Sequence, residues 1–523
     1  MRRGRGHPGD GVARHGFVLP VVLLVLVLLA VLGASFALEM NADVSATRGA
    51  SYRLQTRAAA EAGIQRVIQL LRYRRGDVNA WYDNSAELHR AIVWRSGDDP
   101  STFGLPESAE SNDGRPAYRF SIVADDPMDD ELVVRHGATN EAAKLNINVA
   151  SVEQLRILLA QVVPPDVSVE ALADALVDWR DRDDSPLENG AESSYYATLE
   201  PSYAPKNRDF DTVEELLMVK GFTAQVLYGE DWDRNGLLSI NEDDGEATFP
   251  LDDADGQLNL GLLPYITVRS RDFNVANDNK PRVNPRGNRE QVTKQLTDYF
   301  SEEEIDFIIT AMAVEGKCKL QSLLDLVDLP RESRQQESDE HASTRPTDTA
   351  PSSSQPSESP DECERQIPSP FGIQDLHRIL DRLTLDGRPQ EDGLIDVNTA
   401  PAEVLRCVPG MTEAVLAEIL AKRATLSSEQ KATPAWLLIE GLVDADTLEW
   451  LLNGITTRGN QFTVESLGYA DHTGTFTRLQ VIVEMRGPVA QIVYWRDLTS
   501  LGAGYPTRLE DEQGAQRRAI GTR

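Results

Sequence analysis

The chain reads as an α+β protein. A long N-terminal helix enters a membrane and then packs on a small antiparallel β-sheet. A large inserted α-helical domain with helix-hairpin-helix-like units interrupts that sheet. Three observations predict this. An uncharged apolar run, Phe17 to Leu38, stands near the N-terminus. Two stretches of apolar/polar alternation, at about 115–135 and 462–495, sit far apart in the chain. Between them the pattern is mostly helical, as expected when one domain is let into the strands of another.

The run from Phe17 to Leu38 holds 22 residues and no charge. At about 1.5 Å per residue it reaches roughly 33 Å, enough to cross a bilayer core. Arg2, Arg3, Arg5 and Arg14 precede it against a single acid, Asp10, and Glu39 and Asp43 follow it. The positive-inside rule keeps such an N-terminus cytoplasmic and exports the rest. A cleaved secretory signal has a shorter apolar core and a small-x-small site behind it; Ala34-Ser35-Phe36-Ala37 is a weak version of one. Pro20 falls in the first helical turn, where a missing N–H costs little. Proline-free, Ala-rich sequence from Glu39 to about Tyr73 continues the helix, with Leu54, Ala58, Ala62, Val67 and Leu71 as its predicted apolar stripe.

Strands are predicted where Tyr118, Phe120, Ile122 and Ala124 alternate with polar neighbours, and again at Leu132-Val133-Val134. Three more follow near the C-terminus: Phe462 and Val464; Leu479, Val481 and Val483; Ile492, Val493 and Trp495. Residues 331–370 are rich in Ser, Pro, Asp, Glu and Gln with no strong apolar run, the composition of a disordered linker that divides the helical insertion in two.

A weak repeat runs through the insertion. Leu145-Asn146-Ile147-Asn148-Val149-Ala150-Ser151 and Ile395-Asp396-Val397-Asn398-Thr399-Ala400-Pro401 each lead into an amphipathic helix, with Ser151 and Thr399 as the expected caps. Arg282-Val283-Asn284-Pro285 is a degenerate third copy. The second copy continues through Pro409-Gly410 into another helix, a helix-hairpin-helix-like arrangement whose backbone amides could meet DNA phosphates. Its plainer reading is a packed helical hairpin. Charge favours the plainer one: 52 Lys and Arg face 84 Asp and Glu, a net charge of −32, and basic residues do not cluster at the hairpin. Nucleic acid is therefore not an expected partner. Asp211 and Glu214 have the spacing of a capping box.

One stretch carries metal chemistry in its spacing. Asp231-Trp232-Asp233-Arg234-Asn235-Gly236-Leu237-Leu238-Ser239-Ile240-Asn241-Glu242 fits the 12-residue EF-hand calcium loop without mismatch. Asp231, Asp233 and Asn235 supply side-chain oxygens, Leu237 its carbonyl, Ser239 a direct or water-mediated contact, and Glu242 two oxygens. Gly236 allows the sharp turn. The flanks do not read as two EF-hand helices, so the loop is expected to stand alone, and Asp252–Gly256 is a weaker echo. The alternative is an acidic, solvated turn.

No other metal or catalytic signature appears. Cys318, Cys363 and Cys407 form no CxxC pair; three free thiols, or one bond between Cys318 and Cys363 across the linker, are both open. The sequence has no HExxH, Gly-x-Ser-x-Gly, P-loop or GxGxxG, so a catalytic role is not expected.

Gly16-Phe17 before an apolar helix resembles the type IV prepilin cleavage site, where a peptidase cuts after Gly and leaves Phe as the new N-terminus. Most pilins and pseudopilins carry Glu at the fifth mature position; here it is Val21. That departure is a trait of the minor pseudopilin K family of type II secretion systems. The order Asp178-Trp179-Arg180-Asp181-Arg182-Asp183-Asp184, Asn189-Gly190-Ala191-Glu192, Tyr195-Tyr196 and Tyr203-Ala204-Pro205-Lys206-Asn207, behind the Leu145–Ser151 segment, is similar to the inserted helical domain of that family.

The resemblance covers most of residues 13–225, resumes at about 390, and departs between. It implies a prepilin leader at 1–16, an N-terminal helix at 17–75, and a pseudopilin β domain at 76–144 and 459–500. Within that domain fall the helical insertion at 145–330, the linker at 331–370 and a hairpin-like region at 371–458, with a tail at 501–523. It also implies a second calcium cluster at Asp181, Asp183, Asp184 and Glu192, which by spacing alone is a solvated charge run. The implied role is a minor pseudopilin at the tip of the secretion pseudopilus. The implied partners are other minor pseudopilins, the major pseudopilin, prepilin peptidase and the bacterial inner membrane, with the bulk of the chain in the periplasm. The alternative is a membrane-tethered DNA receptor of a competence-like system.

Overall fold

The structure, a computed structural model, describes residues 18–95, 116–124, 134–245, 247–313, 320–328 and 368–507. Helix α1 (Val18–Arg74) is continuous over 57 residues, about 85 Å at the usual rise. Its apolar first half is exposed throughout and passes the length and hydropathy tests for a membrane span. Its last turns pack on a sheet. The buried stripe includes Thr56, Ala59, Ala60, Ile64, Val67, Ile68 and Leu71, with Leu70 beside it. Of the predicted stripe, Val67 and Leu71 are in it, while Leu54 and Ala58 face outward. Those positions read as a repeat of four or five, whereas the buried face follows steps of three and four.

Strands β1 (Ala91–Arg95), β2 (Ala117–Val123) and β3 (Thr139–Asn140) precede the insertion. Within it lie β4 (Leu145–Asn146), β5 (Ile266–Thr267), β6 (Arg271–Phe273), β7 (Gln390–Asp392), β8 (Ile395–Asp396) and β9 (Ile455–Thr456). The chain then returns through β10 (Gln461–Ala470), β11 (Phe476–Arg486) and β12 (Val489–Asp497). The main sheet runs β1-β2-β10-β11-β12, antiparallel throughout, with β3 beside the start of β10. Val134, predicted in a strand, precedes an isolated bridge between Arg135 and Ala124; Leu132 and Val133 lie outside the described residues.

Alternation assigns the two faces of the sheet. Phe120, Ile122, Phe462, Val464, Leu479, Val481 and Val483 point at α1 and form one core with Ile64, Val67 and Leu71. The approach is close because two glycines allow it. A Cβ on Gly468 would lie 2.1 Å from the Thr56 carbonyl oxygen, and one on Gly63 would lie 2.5 Å from Ser466 Oγ. The seam is tied by Ser466 Oγ donating to Ala60 O (2.8 Å) and by Thr56 Oγ1 against Thr477 Oγ1 (2.9 Å). Gly468→Val should therefore lift α1 off the sheet and cost at least about 3 kcal/mol, the upper range for overpacking, since backbone cannot yield as a side chain does. Urea unfolding of the full chain reads this out; a loss below about 1 kcal/mol would mean that the helix shifts freely.

Among the described residues the insertion shows three successive units, each closed by a short parallel pairing of its start with its end: Leu145 with Ile266, Val283 with Leu383, and Ile395 with Ile455. The first and third share their internal wiring. Asn148 Nδ2 donates to Phe210 O and Val268 O, and Asn398 Nδ2 to Lys431 O and Thr457 O. Arg180, the last residue of helix Val169–Arg180, donates to Ile147 O and Ala150 O. Arg423, the last residue of helix Glu413–Arg423, donates to Val397 O and Ala400 O.

Ser151 caps its helix as expected, with Gln154 closing a capping box. Thr399 does not; its hydroxyl turns back to Asp396 Oδ2 and Pro401 holds the cap position. The box predicted at Asp211 and Glu214 sits one residue later: Glu215 Oε1 accepts from the amides of Asp211 and Thr212. Glu214 is drawn instead toward Arg496. The insertion does not divide at the predicted linker, because one core runs from Ala143 to Ile455 and β6 pairs with β7 across it. The linker lies outside the described residues except for 368–370.

Candidate metal sites

The 231–242 loop closes on itself through its own carboxylates. Asp231 accepts from the amides of Asn235 (2.9 Å) and Gly236 (3.0 Å), and Gly236 takes the positive φ that the turn requires. Glu242 accepts from the amides of Trp232 (3.2 Å) and Ser239 (3.0 Å). Carboxylate oxygens of Asp231, Asp233 and Glu242 thereby converge within 4.8 Å of one another. Burial and then the neighbouring Asp231 and Glu242 push the Asp233 carboxyl up to about 7. Burial also raises Asp231 and Glu242. One oxygen of Asp233 is buried without a partner. Three carboxylates held this close repel unless a proton or a cation intervenes, and an all-oxygen set suits a hard cation such as calcium. Asn235 is gathered too, its amide donating to Asp233 and its Oδ1 accepting from Leu237 N. Leu237 turns its side chain to the sheet, against the cluster of Val123, Leu467 and Tyr469.

The loop is anchored on the face of the sheet opposite α1. Arg478 of β11 is 0% exposed. Its Nη1 donates to Asp233 O at 2.7 Å, its Nη2 to Arg234 O, and its Nε to Glu465 Oε1 at 2.6 Å. Burial opposes the charge on Arg478, yet Glu465 and the loop hold it above its ordinary range. Arg234 reaches Glu214 at 3.6 Å, and Glu214 also takes Arg496 of β12.

The second cluster differs from its expected membership. Asp178, Asp181 and Glu192 have carboxylate oxygens within 4.8 Å of one another. Asp183 and Asp184 are outside this group and accept instead from the amides of Ser185 and Ser193. Asp178, the residue missed, is 0% exposed and accepts from Ala191 N (2.7 Å) and Leu187 N (3.2 Å). A Cβ on Gly190 would meet Asp178 Oδ2 at 1.8 Å, so only glycine lets the strand of chain return this closely. Glu192 is 1% exposed, and both of its oxygens lack any hydrogen-bond partner. Burial, then Asp178 and Asp181, push it up to about 7. A carboxylate buried without donors is costly, and a cation between these three acids removes that cost.

The hairpin at Pro409-Gly410 offers phosphate little. Arg406 pairs with Glu413 (2.7 Å), Lys422 pairs with Glu440 (2.7 Å), and Arg423 is buried on backbone carbonyls. Cys407 is a buried free thiol, pushed up to about 12 by burial. Cys318, Cys363, Gly16 and Phe17 lie outside the described residues.

An N-terminal helix with an apolar first half is laid on an antiparallel sheet, with a helical domain let in between β3 and β10. Residues 131–228 match the family profile described as type II secretion system (T2SS), protein K. The chain is 40% identical over 78 residues to type II secretion system protein K of Pseudomonas aeruginosa, covering 15% of this chain and 23% of that protein. It is 27% identical over 174 residues to the protein K of Aeromonas hydrophila, covering 30% and 53%. The chain thus spans about half or less of the curated relatives it matches. A solved chain from the GspK-GspI-GspJ complex of the enterotoxigenic Escherichia coli type 2 secretion system aligns over 88% of this chain and 99% of that one, at a TM-score of 0.33 and 12% identity. At that score the likeness bears no weight.

Proposed function

We propose that this protein is a minor pseudopilin at the tip of a type II secretion pseudopilus, taking part in protein export across the outer membrane. In this reading α1 anchors it in the inner membrane, its N-terminus is cytoplasmic, and its bulk lies in the periplasm. The observation that carries the reading is the match of residues 131–228 to the protein K profile, in a chain whose sheet packs on the later turns of a helix with an uncharged, exposed first half. Calcium is the proposed ligand at Asp178, Asp181 and Glu192, and at the loop Asp231 to Glu242.

Position at the tip follows from charge. Cleavage between Gly16 and Phe17 by prepilin peptidase leaves a cationic amine at the edge of an apolar helix bundle, where an unpaired charge is expensive. A following subunit with Glu at its fifth mature position neutralises that amine. This chain has Val21 there and offers no carboxylate to a subunit ahead of it. An end position leaves no charge unpaired. The helical insertion would crowd a regular filament wall but can sit on a free end.

Intact mass of the membrane-extracted protein should show a chain beginning at Phe17, with the new amine methylated. Cross-linking should join it to other minor pseudopilins and to the major pseudopilin only at one filament end. An uncut chain, a cut after Ala37, or cross-links along the filament wall would each contradict the proposal. The DNA-receptor alternative is not favoured, since the basic side chains of the hairpin are already paired.

A further inference from the structure

Residues 230–260 form an excursion that begins just past the matched protein K segment, which ends at 228. Its neck is cinched. Gly229 and Gly261 both have positive φ, and a Cβ on either would strike backbone, at 2.0 Å from Asn259 O and 2.4 Å from Gly229 N. Glu230 N donates to Asn259 O (2.8 Å) and Leu262 N to Val226 O (3.1 Å). Its two arms are also tied: Asp252 accepts from Gly245 N (2.7 Å), and Asp243 accepts from Gly256 N (3.0 Å). Its base is held by Arg478. This is a fixed projection.

The projection exposes apolar side chains where a soluble surface usually does not concentrate them. Among the described residues outside α1, fourteen large apolar side chains are exposed, and five of them fall between Trp232 and Leu251. They are Trp232, Leu238, Ile240 (81% exposed), Phe249 (60%) and Leu251. Trp232 and Phe249, distant in sequence, meet edge to face with ring centres 4.6 Å apart. The same residues, 230–255, carry ten Asp and Glu against one Arg.

We propose that this projection is a docking surface for a partner protein segment that presents cationic side chains around an apolar stripe. Charge selects the partner. A second copy of this acidic chain and an anionic lipid surface are both repelled. The apolar pair supplies the contact area, and Trp is among the side chains most often dominant at interfaces. The cinched neck means that little ordering is required on docking.

The test uses the full chain in amphipol and an 18-residue Leu/Lys amphipathic peptide, with a Leu/Glu peptide of the same pattern as control. The Leu/Lys peptide should bind and the Leu/Glu peptide should not. Trp232→Ser/Phe249→Ser should weaken binding at least about tenfold. Ile240→Ser/Leu251→Ser, outside the Trp–Phe contact, should weaken it in the same direction and serves if the first pair misfolds. Trp450→Ser, another exposed Trp, should leave it unchanged. Equal binding by parent and both double variants would mean that net charge alone attracts the peptide, and the proposal fails. It also fails if brominated phosphatidylcholine in proteoliposomes quenches the emission that Trp232→Tyr removes, because the patch then faces a bilayer.

Discussion

Arg478→Met should destabilise the protein by about 3–5 kcal/mol, the range for removing one partner of a buried ion pair. The loss has two components. Glu465, already raised by burial, is left without the guanidinium that offsets its cost. The carbonyls of Asp233 and Arg234 lose their donor as the insertion loosens on the sheet. Arg478→Met/Glu465→Leu separates the two. Removing both charges should recover much of the stability, but it leaves the loop carbonyls undonated. Hydrogen exchange at residues 231–240 should then stay faster than in the parent even though the urea midpoint recovers. If Arg478→Met changes the unfolding free energy by less than about 0.5 kcal/mol, the value of an ordinary surface substitution, the clasp is not structural.

That residue also shows what could be read from the sequence and what could not. Alternation through Leu479, Val481 and Val483 places these residues against α1 correctly, and by the same rule it assigns Arg478 and Glu484 to solvent. Both are buried, because the insertion covers the outer face of the sheet. Period-two patterning reports that a strand has two faces; it cannot report that the second face is also covered. β1 was missed for a related reason. Ala91-Ile92-Val93-Trp94-Arg95 has no alternation, and its register slips between Ile92 and Trp94.

The convergence of Asp231, Asp233 and Glu242 was legible because the calcium-loop pattern sets residue types at fixed spacing. The second cluster was half legible. Asp181 and Glu192 stood out as charges, but choosing Asp178 over Asp183 and Asp184 depends on Gly190 and Ala191 folding back onto one helix end. Spacing carries no trace of that return.

Calcium should raise the thermal stability of the protein, and the gain should grow as pH rises through about 7. A cation that binds only the folded chain stabilises by RT ln(1 + [L]/Kd), about 2.7 kcal/mol for one site at a hundredfold excess over Kd. The pH dependence follows from the direction of the shifts. Glu192 and Asp233 are both raised, to about 7, by burial and by neighbouring carboxylates. The folded, metal-free protein therefore binds protons at pH values where the unfolded chain, with ordinary carboxyls, has released them. In that window, from about 4.5 to 7, stability without calcium should fall as pH rises and then level off. Calcium needs the deprotonated carboxylates, so its effect runs the other way: small at pH 5, full at pH 8. Thermal melts at pH 5, 6, 7 and 8, with calcium or with EDTA, should show the two curves diverging upward in pH. Glu192→Gln keeps the shape of the side chain but removes the charge; it should stabilise the EDTA form at pH 8 and remove one calcium from the stoichiometry. Asp231→Ala/Glu242→Ala should remove the other. Melts that coincide with and without calcium at pH 8 would show that neither cluster holds the ion. A calcium response unchanged in one variant and lost in the other would assign binding to a single site.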